Sequence, residues 1–404
     1  MTDNFQPVFV KFSKNSFIFV EGKPSAGRFY IIKEGKVQIF RETNWEKSEE
    51  MVAGPGEMFG IVSAMASYSY IESATAMTDV LLMVVDRKHY GDLIAKSTSV
   101  AVNTIRIFSQ RLRKLDEALS RHALKGAAVN DPSHLYQIGV FYERTRKINQ
   151  ALYSYQRYLA YCPHAKNIDD VKRKIVKMKS RISVTRPQYS PDTMVQTYPK
   201  GCLLFAEGEI GHNLYIIQKG SVKITKIVNN KEVVLAVLNK GDIFGEMAML
   251  ENKPRSATAE VYEDCTLLAI NRANFKNLIN DQPDMVVRMT VLMSERIWLL
   301  FKQLANTLIE NPVGRIYDAL LTQIEKNRID LNSKDPYLCN FGFTELAGMA
   351  GISEWDSTNL YGRIAAGKKI AVMSDKVFVT NVSELNNEAE YYRRARKKAQ
   401  DAKS

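Results

Sequence analysis

Two kinds of hydrophobic spacing alternate along the 404-residue chain. Runs such as "NLYIIQKGSVKI" from Asn213 and "VVLAVLNKGDIF" from Val233 alternate apolar and polar residues with period two and break at Gly, Asn or Pro. That pattern predicts many short antiparallel strands, and a sandwich or jelly roll as their packing. Elsewhere the period lengthens. Val100 to Lys125 and Met285 to Leu308 each gather apolar residues on one helical face without a proline, which predicts two long helices.

The strand-rich pattern occurs twice. Glu21 to Ile94 matches Glu207 to Ile279 in order and content: "FVEGKPSAGRFYIIKEGKVQIF" with "FAEGEIGHNLYIIQKGSVKITK", "GPGEMFG" with "NKGDIFG". Self-similarity at this scale marks a duplicated domain, each copy followed by one of the long helices. Between the copies, Leu135, Ile138, Gly139, Tyr142, Ala151, Tyr155, Tyr158 and Pro163 fall at the spacing of one tetratricopeptide repeat, a helix-turn-helix unit. A single repeat cannot bury its apolar face alone, so it is expected to pack on neighbouring domains as a spacer, with Ile168 to Ile182 as an added helix. "SVTRPQYSPD" reads as a linker. After the second long helix come an amphipathic helix, "NPVGRIYDALLTQIEKN", a helix from Phe343, a turn at Gly351, a second helix from Ser353 and an "AVMSDKVFV" hairpin, in outline a winged helix-turn-helix. The expected fold class is therefore multidomain α+β. The expected divisions are 1–128 for the first β domain with its helix, 129–184 for the helical connector, 185–310 for the second β domain, 311–385 for the winged helix and 386–404 for a basic tail.

Composition narrows the functional classes. A content of 45% hydrophobic and 25% charged residues is globular, and a formal charge of +12 with pI near 9.3 favours anionic partners. Cys162, Cys202, Cys265 and Cys339 are scattered, with no CxxC pair and no histidine cluster, so neither a disulfide framework nor a metal site is indicated and a reducing cytoplasm fits. The N-terminus lacks a signal-peptide pattern and no segment reaches about 18 uninterrupted apolar residues. No Ser/His/Asp order, metal motif or P-loop lysine appears, so catalysis is not expected.

The chemistry concentrates in "FGEMAMLENKPRSATAEV", from Phe244. Gly245 permits a tight turn after an extended segment, and "EMAML" starts a short helix whose free amides can attract a phosphate. Arg255 adds a planar, permanently charged fork for two phosphate oxygens. Glu246 is out of place in an anion pocket unless the ligand also offers a hydroxyl, and a sugar phosphate meets both demands. A surface salt bridge between Glu246 and Arg255 is the plain alternative.

"FGEMAML" followed by "PRSATA" resembles the phosphate-binding cassette of cyclic-nucleotide-binding domains, and the resemblance covers most of Gln196 to Asn280. It implies that Glu246 holds the ribose 2′-hydroxyl, that Arg255 holds the cyclic phosphate, and that Gly245, Met247, Ala248 and Ser256 line the pocket. Thr290 and Ser294 on the long helix would reach the purine. The first copy, "FGIVSAMASYSYIESATAM", keeps the scaffold but puts Ile61 and Glu72 where the sugar-binding Glu and the phosphate-binding Arg should stand, with two further residues in the loop. A carboxylate there repels phosphate, so the first domain is expected to have lost the ligand and to serve structure or partner docking.

The order of a cyclic-nucleotide domain, a long helix and a winged helix resembles the catabolite activator family of bacterial transcription regulators. The resemblance implies a cytoplasmic, homodimeric switch with the Met285–Leu308 helix as the dimer seam, cAMP rather than cGMP as ligand, no metal, and double-stranded DNA as partner. It places Glu354, Trp355 and Asn359 at the base-reading positions, with Lys368, Lys369 and Lys376 near the wing for phosphates. Glu354 and Asp356 would face phosphates unfavourably. A cyclic-nucleotide-responsive protein adaptor that does not read DNA is the alternative, with a scaffold whose cassette is a relic as the third reading.

Overall fold

In a computed structural model of the chain, residues 6–41, 51–95, 98–124, 131–180, 194–228, 230–275, 283–352, 354–373 and 375–401 are described. They form two compact units, Met1–Leu112 with Ala273–Phe301, and Arg113–Arg272 with Lys302–Ser404. The linker read at "SVTRPQYSPD" lies outside the described residues.

The first β domain runs through β1 (Val8–Phe12), β2 (Phe17–Phe19), β3 (Arg28–Glu34), β4 (Val37–Phe40), β5 (Met51–Ala53), β6 (Met58–Phe59), α1 (Ile61–Ala66), β7 (Ser73–Ala76), β8 (Val80–Asp86) and α2 (Tyr90–Ala95). Its strands make two antiparallel sheets, β1-β8-β3-β6 and β2-β7-β4-β5. The period-two pattern explains the packing: alternate residues such as Val37 and Ile39 join Phe19, Ile32, Phe59 and Leu82 in one core. α3 (Thr98–Leu124) follows, and its residues from Arg113 onward belong to the second unit.

That unit continues with α4 (His134–Arg144), α5 (Ile148–Tyr161) and α6 (Ile168–Lys179). A Cβ at Gly139 would lie 2.6 Å from the Tyr155 ring, so the glycine is what lets α4 and α5 touch. Leu135, Ile138, Tyr142, Tyr155 and Val171 share a core with Leu203 and Ala206 of the next β domain. The connector's apolar face is covered there, as its single hairpin requires.

The second β domain comprises β9 (Val195–Tyr198), β10 (Leu203–Phe205), β11 (Asn213–Val228), β12 (Lys231–Leu238), β13 (Ile243–Phe244), α7 (Glu246–Glu251) and β14 (Thr258–Asn271). One antiparallel sheet holds all six strands, in the order β10-β14-β11-β12 with β13 on β11 and β9 on β14. The alternating run "NLYIIQKGSVKI" contains Gly220, and β11 continues through it. Gly220, at φ 78°, absorbs a register shift against β14 between Lys219 and Ser221, and the strand goes on. In the first copy the equivalent Gly35, at φ 87°, separates β3 from β4, which lie in different sheets.

α8 (Pro283–Asn306) is the second long helix. Sequence order assigns it to the second β domain, yet its residues through Phe301 belong to the first unit. There the Trp298 ring stacks on Tyr68 with centroids 3.9 Å apart, and Met289, Met293 and Ile297 are buried. Amphipathic spacing predicts a covered stripe but not what covers it.

The C-terminal region has α9 (Pro312–Lys326), β15 (Tyr337–Leu338), α10 (Phe343–Met349), α11 (Glu354–Ala365), β16 (Ile370–Met373), β17 (Lys376–Val379) and α12 (Val382–Asp401). β15-β17-β16 form a small antiparallel sheet. Ile316, Leu320, Leu346, Ile364, Val377 and Leu385 make a core that includes Val234 and Val237 of β12. Gly348 of α10 lies on Val234, where a Cβ would stand 3.0 Å from the Val234 carbonyl oxygen. The C-terminal body is thereby seated on the second β domain.

Candidate functional site

The second cassette is built around a left-handed glycine. Gly245, at φ 76° and ψ 4°, ends the extended β13 and starts α7, and a Cβ there would meet Arg255 Nη1 at 2.6 Å. Only glycine combines that backbone with so close a side chain. α7 is six residues long, so its dipole is small, and the positive charge of the site resides on Arg255.

Arg255 is 4% exposed. Its Nη1 donates to Gly245 O at 2.6 Å, its Nη2 donates to Asn213 O at 2.8 Å, and its guanidinium lies 4.0 Å from the Phe205 ring centroid. Nε is buried with no hydrogen-bond partner, and no carboxylate forms an ion pair with the group, among the described residues. Burial pushes its pKa down, opposed by Tyr215, Glu209 and other neighbours, but a guanidinium still holds its proton at neutral pH. The arrangement is a buried cation fixed by two carbonyls and an aromatic face, with no contacting anion. A buried charge is costly unless it is compensated; Glu209 and Glu246 offset part of that cost without contacting the group, and an anionic ligand would add a direct partner.

Glu246 is fully buried at the first position of α7, Met247 and Ala248 are buried, and Ser256 is half-buried. Gly211 faces the same group: a Cβ there would overlap the Arg255 guanidinium and stand 2.7 Å from Ala248 Cβ. The structure therefore brings Gly245, Glu246, Met247, Ala248, Arg255 and Ser256 into one segment of one unit. It does not bring Thr290 and Ser294 to them within that unit, since both belong to the first. Thr290 Oγ1 donates to Val286 O at 2.9 Å and Ser294 Oγ donates to Thr290 O at 2.7 Å. Thr290 Oγ1 also shares a hydrogen bond of 3.2 Å with the Tyr90 hydroxyl.

The first cassette has the same turn, with Gly60 at φ 73° before α1, but opposite chemistry. Glu72 is 4% exposed and ion-paired with Arg111, and Arg41 Nη2 lies 3.8 Å from its carboxylate. Burial pushes the Glu72 carboxyl up, yet Arg111 and Arg41 outweigh it and hold the pKa below the ordinary carboxylate value of 4.5. The expected repulsive carboxylate is thus neutralised from within, by residues too distant in sequence to be read as partners. Because the folded pKa is depressed, this pair stabilises the first unit fully above about pH 4.5 and the contribution is lost as pH falls through the folded value. Glu72→Gln should remove that acid-dependent step and cost roughly 2 kcal/mol at neutral pH, less than for a fully buried pair because Arg111 keeps some water. Thermal melts of both proteins from pH 7 to pH 3 check it; parallel curves would count against the pairing.

Of the C-terminal candidates, Asn359 is exposed on α11, whereas the side chains of Glu354 and Trp355 lie outside the described residues. Lys368 is exposed in a left-handed turn, and Lys376 is half-buried at the start of β17. Lys369 is ion-paired with Glu388 of α12, so its charge is matched inside the body. The tail is helical in α12 through Asp401. Among the described residues no group of three His, Cys, Asp or Glu is placed to hold a metal, and no helix is long and apolar enough to cross a membrane.

Sequence reasoning missed Glu209. Its carboxylate is 3% exposed beside the Arg255 segment, and its backbone carbonyl accepts from Arg255 N at 2.8 Å. The signal was present in the aligned copies: "FAEGE" has Glu209 where "FVEGK" has Lys23, so the charge at this position reverses together with that of Arg255 and Glu72.

The cyclic nucleotide-binding domain family matches this chain twice, at residues 9–97 and 195–282. The chain is 33% identical over 129 residues to the cAMP-activated global transcriptional regulator CRP of Escherichia coli, a match covering 31% of this chain and 61% of that protein. It is also 33% identical over 125 residues to the Cyclic AMP receptor protein of Thermus thermophilus, covering 31% and 58% respectively. The chain thus spans about three fifths of the length of these relatives. A solved structure of a CRP/FNR-family transcriptional regulator from Thermus thermophilus aligns with 48% of this chain and 98% of its own at 19% identity and a TM-score of 0.39. Both β domains therefore match cyclic nucleotide-binding domains, and the chain has sequence homology to cAMP-responsive transcription regulators.

Proposed function

We propose that this protein is a cyclic-nucleotide-responsive transcription regulator with one working nucleotide site, in its second β domain, and that the ligand is cAMP. The observation that carries the reading is the buried Arg255 guanidinium, held by two carbonyls and the Phe205 ring with no ion-paired carboxylate among the described residues. In this reading a cyclic phosphate supplies the missing anion and the buried Glu246 accepts from the ribose 2′-hydroxyl, while the first domain binds no nucleotide. The cAMP-activated relatives support the choice of purine.

The C-terminal order of α10, a turn at Gly351, α11 and the β16–β17 hairpin supports a winged helix that binds double-stranded DNA through the exposed Asn359, with Lys368 and Lys376 near the backbone. Lys326 of α9 pairs with Asp242 at 2.6 Å, just ahead of the cassette turn, and Gln303 Nε2 donates to Leu235 O of β12 at 2.7 Å. A shift of the cassette on binding has this direct route to the C-terminal body. It switches the protein only as far as the ligand prefers one arrangement over the other.

The adaptor reading keeps the nucleotide and drops the DNA. It is favoured by the internal Lys369–Glu388 pair and by the acidic Glu354 and Asp356 on α11. Titration calorimetry of the full chain with cAMP and cGMP tests the ligand, with cAMP expected to bind more tightly. Retardation of genomic DNA fragments at stated salt, with and without cAMP, tests the partner. cAMP-dependent shifts that survive excess non-specific DNA are expected, and their absence leaves the adaptor.

A further inference from the structure

The helical connector touches the loop on which Arg255 lies. Tyr153 of α5 donates its hydroxyl to Glu209 Oε2 at 2.8 Å, and Arg157 Nη2 stands 2.5 Å from Glu209 Oε1. The Ala206 amide also donates to Oε2, at 3.1 Å. Both oxygens of this carboxylate are therefore engaged, with two of these three contacts coming from α5. The loop itself is tied to the Arg255 segment: Arg255 N donates to Glu209 O at 2.8 Å, Gly208 N donates to Arg255 O at 2.9 Å, and Ile210 bridges to Pro254. Tyr161, one turn beyond Arg157, donates its hydroxyl to Ile210 O at 3.4 Å, and the Arg157 guanidinium lies over the rings of both tyrosines.

This geometry creates a competition. Glu209 is a buried carboxylate in the same loop-and-segment pair as a buried guanidinium, and two such groups would pair if nothing else held them. No ion pair links them among the described residues, and Tyr153 and Arg157 of the connector contact Glu209. We propose that Tyr153 and Arg157 are positioning residues of the ligand site: by holding and neutralising Glu209, they keep Arg255 available to an anionic ligand. Without Arg157, the Glu209 carboxylate turns to Arg255 and competes with the phosphate. The connector then sets nucleotide affinity, and anything that displaces α5 from the loop weakens binding. This rests on the nucleotide-binding reading of the second domain.

The test uses the full chain and cAMP in calorimetry, with circular dichroism to confirm the fold. Arg157 is 41% exposed at its side chain, so its removal leaves no large cavity. Arg157→Ala should weaken cAMP binding about ten-fold, the coupling typical of one ion-pair network. Tyr153→Phe should weaken it less. The decisive variant is the double substitution Arg157→Ala with Glu209→Gln, in which the competing charge is gone and affinity should return to near that of the parent. Unchanged affinity in Arg157→Ala overturns the inference, and so does a loss that Glu209→Gln fails to rescue, since a merely structural contact would behave that way. A parent chain that binds neither cAMP nor cGMP overturns the nucleotide reading and this inference together.

Discussion

Arg255→Ala is expected to abolish measurable cAMP binding, with affinity falling a hundred-fold or more. The guanidinium is the sole cation ascribed to the phosphate, and a charge-assisted, two-pronged contact contributes roughly 3 kcal/mol or more. Arg255→Lys should recover only part of the loss, because a lysine ammonium keeps the charge but not the planar fork. The substitution also frees Gly245 O and Asn213 O from their donors, so each variant needs a thermal melt beside its titration. Near-parental binding by a folded Arg255→Ala protein would remove the basis of the proposed function. A Glu72 variant should leave cAMP affinity unchanged, since that carboxylate belongs to the other cassette.

The largest stability effect is expected from Trp298→Ala. The indole is 1% exposed and stacks on Tyr68 at an interplanar angle of 16°, and Phe301 of the same helix lies 4.9 Å under the Arg41 guanidinium. Truncating so large a buried ring costs roughly 3 to 5 kcal/mol, which for a unit of this size lowers its melting temperature by about 10 °C. Trp298→Phe should cost distinctly less, because it retains a ring to stack. Differential scanning calorimetry resolves the effect. An unchanged first unit in Trp298→Ala would mean that α8 is not seated there.

Local chemistry was legible in the sequence wherever neighbours in the chain were also neighbours in space. The duplicated strands, the Gly245 turn with Glu246 and Arg255, and the α4–α5 hairpin closed by Gly139 and Tyr155 all depend on short separations or simple periods. The rest depends on pairings across long separations. Nothing near Glu72 in the chain points to Arg111, nothing near Arg157 points to Glu209, and Lys369 gives no sign of Glu388. Gly220 shows a different limit: the residue that separates two strands in one copy is a bulge inside a single strand in the other, decided by the register its partner strand can offer. The long helix α8 shows a third. Its periodicity announces a buried stripe without naming the surface that buries it.

That covered stripe bears on stoichiometry. The homodimer expected from the sequence uses α8 as its seam, and Met289, Met293, Ile297 and Trp298 of that helix are buried. A seam on α8 would use its half-buried apolar positions, Val287, Val291 and Leu292. A dimer on that seam would make the midpoint of the proposed cAMP response move as the protein is diluted, whereas a monomer would not. In the proposed regulator, a two-fold dimer would present two α11 helices to a palindromic site, whereas a monomer would meet a single half-site.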